Sequence, residues 1–82
     1  MNVPHLVRMA NQIEDFFRSE PQRELAIAAI ETHLRRFWEP RMRRSIMAHV
    51  EAGGDGLGEL AISAVRRLSQ AANDTAPGKK VP

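Results

Sequence analysis

The apolar residues of this chain recur at intervals of three and four, which is the spacing of amphipathic α-helices. The first stripe predicts a helix from about Pro4 to Arg18. Its members are Leu6, Met9, Ile13, Phe16 and Phe17. A proline suits the first turn of a helix, because its missing N–H would have no partner there. The pattern therefore predicts an amphipathic helix near the start of the sequence.

A second helix is predicted from about Pro21 to Trp38. Residues 25–30 are apolar on nearly every side, so this helix is expected to lie at the centre of the fold. Glu39 precedes Pro40, and a residue before proline is pushed away from helical geometry, so the helix should end near Trp38. Its predicted core-facing residues are Ile27, Ile30, Leu34 and Phe37.

Two further helices are predicted, from about Pro40 to Ala52 and from about Glu59 to Ala72. Their apolar stripes are Met42, Ile46, Met47 and Val50 in the third helix and Leu60, Ala64, Val65, Leu68 and Ala71 in the fourth. Gly53 and Gly54 follow the third helix, and glycine readily takes the left-handed conformation that ends many helices. The pattern thus predicts an all-α fold, a small bundle of about four short helices.

The last segment of the sequence, residues 73–82, is polar, contains proline and glycine, and shows no apolar periodicity. Such a segment buries too little apolar surface to order itself, so we expect a disordered C-terminal tail. Residues 1–72 are predicted to form one helical domain, since a chain of 82 residues supplies one core of modest size.

The composition excludes several kinds of site. The chain has no cysteine, which rules out disulfides, thiolate zinc sites, iron–sulfur ligation and cysteine nucleophiles. No segment has the pattern of a secretory signal, and no apolar run approaches the ~20 residues that cross a bilayer. We therefore expect a cytoplasmic protein without membrane attachment.

The patterns that would indicate catalysis are weak. His5, His33 and His49 lie on three different predicted helices without metal-ligand spacing. The segment from Gly56 to Ala61 matches G-x-G-x-x-A, but the dinucleotide fingerprint needs a preceding strand, and a helix is predicted there instead. We therefore expect no catalytic, cofactor-binding or metal-binding residue in this chain.

The strongest chemical signal is a cluster of arginines around the only tryptophan, Trp38. Five arginines occur within ten positions, residues 35–44, against one acid, Glu39, although the net charge of the whole chain is only +2. Phe37 lies beside Trp38. Arginine and tryptophan are the residue types that most often anchor protein interfaces. The segment therefore looks like a surface built to be bound.

Three interpretations of this segment are open. The first is a solvated helix face with pairs such as Glu31 and Arg35. The second is a nucleic-acid-binding surface, which the low net charge and the scarcity of lysine disfavour. The third is a protein interface, which the aromatic pair favours. Its predicted partner-binding residues are Arg35, Arg36, Phe37, Trp38, Arg41, Met42, Arg43 and Arg44. Trp38 is alternatively a core residue that closes the bundle.

Three strings of the sequence resemble one protein family. They run from Met9 to Phe17 (MANQIEDFF), from His33 to Arg43 (HLRRFWEPRMR) and from Ala48 to Leu57 (AHVEAGGDGL). Their pattern is similar to that of the delta subunit of NAD-dependent, molybdenum-containing formate dehydrogenases, over roughly residues 9–68. The matching positions in the second and third strings are His33, Phe37, Trp38, Pro40, Met42, Arg43, His49, Gly53 and Gly54.

This resemblance implies a small accessory subunit of a cytoplasmic complex that oxidises formate to carbon dioxide. In such complexes the large subunit carries a molybdenum bis-pyranopterin guanine dinucleotide cofactor and iron–sulfur clusters, and other subunits carry FMN and further clusters and pass electrons to NAD. The delta chain carries none of these cofactors. By resemblance, the chain would dock on the large subunit without an active site of its own.

Two alternatives to the permanent subunit remain. One is a transient maturation chaperone of the large subunit, and the other is a small basic nucleic-acid-binding domain. The isolated chain, with its partner surface uncovered, is also a candidate for homodimer formation.

Overall fold

The computed structural model describes residues 2–74, and this part of the chain is helical without a strand. Its helices are α1 (Val3–Phe17), α2 (Arg23–Phe37), α3 (Pro40–Glu51) and α4 (Glu59–Asp74). The predicted all-α bundle of four short helices is thereby confirmed. Helix α4 continues past its predicted end at Ala72, and the remainder of the predicted tail, residues 75–82, lies outside the described residues. Within residues 2–74, no helix has the length and apolarity to cross a bilayer.

Helix α2 begins at Arg23, later than the predicted start at Pro21. Gln22 has extended backbone and precedes the first helical residue. Its N–H donates to the Glu20 carboxylate at 3.2 Å. The chain bends at residues 21–22 in front of the helix, and Pro21 lies outside it.

The central position expected for α2 belongs instead to α4. Helices α1 and α4 each pack against the other three, and α4 has the more extensive packing of the two, whereas α2 packs mainly against α4 and α1. The core residues are Leu6, Ala10, Ile27, Ile30, Leu34, Trp38, Ile46, Val50, Ala61, Ala64, Val65 and Leu68. Helix α2 is less enclosed than its apolar run suggested, because Leu25 within that run is 52% exposed.

The Gly53-Gly54 pair ends α3 as predicted. The N–H of Gly54 donates to the carbonyl of His49 at 2.9 Å, and the N–H of Gly53 donates to the carbonyl of Val50 at 3.0 Å. These two bonds form a Schellman motif, which satisfies carbonyls that the helix leaves unpaired. Gly53 and Gly54 have φ angles of +128° and +69°, which side chains disfavour.

Two polar residues of α1 hold the glycine-rich connection and the start of α4. The side-chain amide of Asn11 donates to the carbonyl of Gly56, and its oxygen accepts from the N–H of Gly58, both at 2.9 Å. The buried carboxylate of Glu14 accepts from the N–H of Ala61 at 2.9 Å. A carboxylate at this position satisfies a free N–H group and favours the positive end of the helix dipole. Helix α1 thus supplies the cap that α4 lacks.

Gly58 precedes α4 and has no side chain with which to cap it. A Cβ atom at this position would overlap the Glu14 carboxylate. Glycine therefore leaves the space through which Glu14 reaches the first turn of α4. The hydrogen bond from the Ala61 N–H to Glu14 therefore depends on glycine at position 58.

We expect Glu14→Ala to lower the free energy of unfolding by about 1–2 kcal/mol, because the Ala61 N–H loses its acceptor. Gly58→Ala should cost a similar amount by displacing the same carboxylate. The double variant should lose little more free energy of unfolding than Glu14→Ala alone, because the carboxylate that Gly58→Ala displaces is already absent. Urea denaturation of the two single variants and the double variant measures this coupling. Asp15→Ala, an exposed carboxylate on the same helix, should stay within ~0.5 kcal/mol of the parent chain. Simple additivity of Glu14→Ala and Gly58→Ala would contradict the shared cap.

Candidate protein-interaction site

The break between α2 and α3 separates the two neighbouring aromatic residues. Trp38 has extended backbone (φ −92°, ψ 139°), and its N–H still donates to the carbonyl of Leu34 at 3.1 Å. This extended step accompanies a Trp38 that is only 5% exposed and a Phe37 that is 68% exposed. The prediction that Phe37 faces the core is therefore wrong. Trp38 takes that place, four residues after Leu34.

Trp38 belongs to the core cluster of the bundle, as in the interpretation that it closes the fold. It also lines a surface groove between α1 and α2. Trp38 therefore reaches a partner only through that groove, whereas Phe37 offers its ring directly. Met42, two residues after Pro40, is half-buried and packs against the same cluster.

Two of the five arginines are engaged within the chain. The half-buried Arg43 donates to the carbonyls of Trp38 at 2.5 Å and Arg35 at 3.0 Å. It thereby satisfies carbonyls at the end of α2 that have no partner in the helix. The side chain of Arg35 forms an ion pair with Glu31. Both arginines therefore contribute to the fold.

Ion pairs cover the side of α2 that packs against α4. Arg67 on α4 pairs with Glu24 at 3.2 Å and with Glu31 at 3.4 Å. Arg23, the neighbour of Glu24, pairs with Glu59 at the start of α4. The charged side chains on this side of α2 are therefore already paired within the chain.

The remaining three arginines of the cluster, Arg36, Arg41 and Arg44, are exposed. Within the described part of the chain they make no ion pair and no hydrogen bond through their side chains. Arg41 and Arg44 lie in the first two turns of α3, where the helix dipole disfavours cations. Their charge gains nothing from the helix that carries them, so it is available to a binding partner.

The opposite side of α2 forms, with α1, a continuous apolar surface that we call the α1–α2 face. It consists of two adjoining grooves of roughly 370 Å³ and 440 Å³. The first is lined by Met9, Gln12, Ile13, Phe16, Phe17, His33 and Trp38. The second is lined by Phe17, Leu25, Ala28, Ala29, Thr32, His33, Arg36 and Phe37. Phe17 and His33 line both grooves, which makes them one surface.

The large hydrophobic residues exposed in the described part of the chain are Phe16, Leu25 and Phe37, and all three lie on the α1–α2 face. Phe16 is the most exposed of them, at 78%. Single exposed apolar residues are ordinary, but a contiguous group on a small protein marks an interaction surface. The sequence prediction assigned Phe16 to the core stripe and left Leu25 out of the partner-binding set. The sequence did contain a signal for Leu25. Residues 25–30 of α2 are apolar on nearly every side, and the other helices do not cover all of them.

Two of the three histidines, His33 and His49, make local contacts within the chain. The Nε2 of His49 lies 2.7 Å from the carbonyl of Asp55, and because a carbonyl only accepts, this nitrogen carries the proton. His33 packs its ring against Phe37 with centroids 4.8 Å apart. Among the described residues, no three potential metal ligands lie together.

The sequence matches the family model of the NADH-dependent formate dehydrogenase delta subunit FdsD over residues 5–65. The chain belongs to the formate dehydrogenase delta-subunit family. The matched range contains most of α1, all of α2 and α3, the glycine-rich connection and the start of α4, and so includes the whole α1–α2 face. The resemblance found in the three strings is thus confirmed, and it implies a complex with other subunits. No curated protein and no solved structure gives a significant match.

We expect Trp38→Ala in this delta-subunit family member to lower the free energy of unfolding by about 3–5 kcal/mol, because a buried ring is replaced by a cavity. Phe37→Ala should change it by less than about 1 kcal/mol, since the Phe37 ring is mostly exposed. Urea denaturation followed by circular dichroism compares the two neighbours. Equal losses of stability would contradict the placement of the two rings.

The two neighbouring arginines of α3 offer a second matched comparison. Arg43→Met should lower the free energy of unfolding by about 1–2 kcal/mol, because two carbonyls at the end of α2 lose their donor. Arg44→Met, which removes an exposed and unpaired charge, should stay within ~0.5 kcal/mol. Thermal melting of both variants measures the difference. A loss of stability for Arg43→Met no larger than that for Arg44→Met would contradict the stabilising role of the cap.

Proposed function

We propose that this chain is a non-catalytic accessory subunit of a cytoplasmic NAD-dependent formate dehydrogenase, and that it docks on the large catalytic subunit to support assembly or stability. The observation that carries this proposal is the family match over residues 5–65. In the proposed complex, the partner subunits carry the molybdenum bis-pyranopterin guanine dinucleotide cofactor, the iron–sulfur clusters, FMN and the NAD site. In this proposal the chain contributes a binding surface and no catalytic residue.

The distribution of the arginines supports docking on a protein. Arg35 and Arg43 are used within the chain, which leaves Arg36, Arg41 and Arg44 for external contacts. Arg36 lines the apolar α1–α2 face, and Arg41 and Arg44 add two unpaired charges on α3. This combination suits a partner surface that carries apolar residues and carboxylates. A surface that binds duplex nucleic acid would use arginines mainly on phosphates and has less need of exposed phenylalanines beside them.

The proposal is tested by purifying the tagged chain from its native host, followed by size exclusion and an assay of formate-dependent NAD reduction. We expect the chain to elute at fixed stoichiometry with active formate dehydrogenase. Elution with only inactive, cofactor-free large subunit would support the maturation chaperone instead. Recovery of the chain alone or with nucleic acid would contradict the proposal.

We expect Arg41→Glu and Arg44→Glu each to slow association with the large subunit several-fold at low salt, because exposed charges at the edge of an interface steer the encounter. The difference should shrink at about 0.5 M salt, where screening is strong. Surface plasmon resonance on the purified large subunit measures both rates. Arg66→Glu, which reverses an exposed arginine on α4, is the matched control and should have a smaller effect. Equal effects of the three reversals would contradict a docking role for the arginine cluster.

A further inference from the structure

Helix α2 has two sides of different chemistry. The charged residues of one side, Glu24, Glu31 and Arg35, are paired within the chain, and most of these ion pairs are made to α4. The other side presents Leu25, Ala28, Ala29, Thr32, Arg36 and Phe37, all of which line the second groove of the α1–α2 face. These residues recur at helical spacing, so they form one stripe along the helix. The stripe has no covering element within the described chain.

The shape of this stripe suits an α-helix. Small side chains, Ala28, Ala29 and Thr32, lie between the larger Leu25 and Phe37 at its two ends. Leu25 and Phe37 are about 18 Å apart along the helix axis, which is the length of about three turns. A ridge of side chains on another helix packs into such a shallow trough. Larger central residues would have filled it.

The charge on the face limits what its occupant can be. Arg36 is the one arginine, lysine or carboxylate residue among the lining residues of both grooves, and its side chain is unpaired. In a two-fold homodimer the same patch meets itself, and because no carboxylate lines either groove, Arg36 would find no acidic partner there. A partner with a carboxylate at this point would form an ion pair there. The face therefore favours a different chain over a second copy.

We infer that the α1–α2 face receives an amphipathic helix of the large subunit, whose apolar side packs between Leu25 and Phe37 and whose acidic residue pairs with Arg36. This inference rests on the proposed function, because it names the docking surface and its occupant. Helix-in-groove docking uses apolar anchors at helical spacing, and the exposed rings of Phe16 and Phe37 and the side chain of Leu25 offer the complementary positions. Arg41 and Arg44 then lie outside the apolar contact and steer the approach.

The inference is tested by measuring the affinity of the full chain and of its variants for the purified large subunit. Leu25→Glu and Phe37→Glu should each weaken binding at least about tenfold, because each places a carboxylate in a desolvated apolar contact. Phe37→Leu, which keeps an apolar anchor, should stay within about threefold. Gln70→Glu, which adds the same charge at an exposed position of α4, should leave affinity unchanged. Unchanged melting temperatures of Leu25→Glu and Phe37→Glu exclude loss of the fold.

The outcomes separate this inference from the proposed function. If the parent chain does not bind the large subunit, the proposed function fails and the inference fails with it. If the parent chain binds and both Leu25→Glu and Phe37→Glu bind equally well, the inference is overturned while the subunit role stands. A homodimer that Phe37→Glu dissociates without changing large-subunit binding assigns the face to a second copy, and also overturns it.

Hydrogen exchange of the large subunit, with and without the parent chain, identifies the covered segment. We expect protection of one helix that carries an acidic residue. Reversal of that residue to lysine should restore the affinity that Arg36→Glu loses. Protection of a non-helical segment, or a lack of rescue, would overturn the assigned occupant.

Discussion

The helix break at Glu39 and Pro40 is the constraint on which the rest of this structure depends. The residue before a proline disfavours helical backbone, and Glu39 accordingly has a ψ angle of 154°. Helix α2 therefore stops at Phe37, and Trp38 takes the extended step that brings its ring into the core. The same break places Arg43 where it can donate to the carbonyls at the end of α2. The helix break before Pro40 thus places Phe37 and Trp38 in different environments. The cap that Arg43 provides to α2 depends on the same break.

Most of the family-matching positions outside the α1–α2 face have a role inside the chain. Asn11, which lies in the first of the three matching strings, holds the glycine-rich connection. Gly53 and Gly54 end α3, and Arg43 caps α2. Their side chains or backbones are occupied by internal hydrogen bonds, so they specify turns and helix ends. The α1–α2 face, with its unpaired Arg36, has no such role within the described chain. This division explains how a chain of this size keeps its fold while leaving large phenylalanine rings exposed.

The helices could be predicted because each depends on local features, namely apolar periodicity, prolines and paired glycines. Which of Phe37 and Trp38 is buried could not be predicted. The two residues follow Leu34 by three and four positions, and both spacings fit a core stripe. The backbone angles of a single residue decide between them. The partners of Arg43 are carbonyls, which a charge pattern does not reveal. The cap that Glu14 provides to α4 joins distant parts of the sequence, and only the bare glycine before α4 pointed to it.

The central claim is that Trp38 is buried in the fold while Phe37 is exposed for a partner. Hydroxyl-radical footprinting of the free chain and of its complex with the large subunit tests it most directly. The indole of tryptophan reacts more readily with the radical than phenylalanine does, so its accessibility gives a clear signal. We expect Trp38 to be protected in both states, and Phe16 and Phe37 to be oxidised in the free chain and protected in the complex. Oxidation of Trp38 in the free chain that disappears on binding, with Phe37 unchanged, would contradict both the buried tryptophan and the docking face.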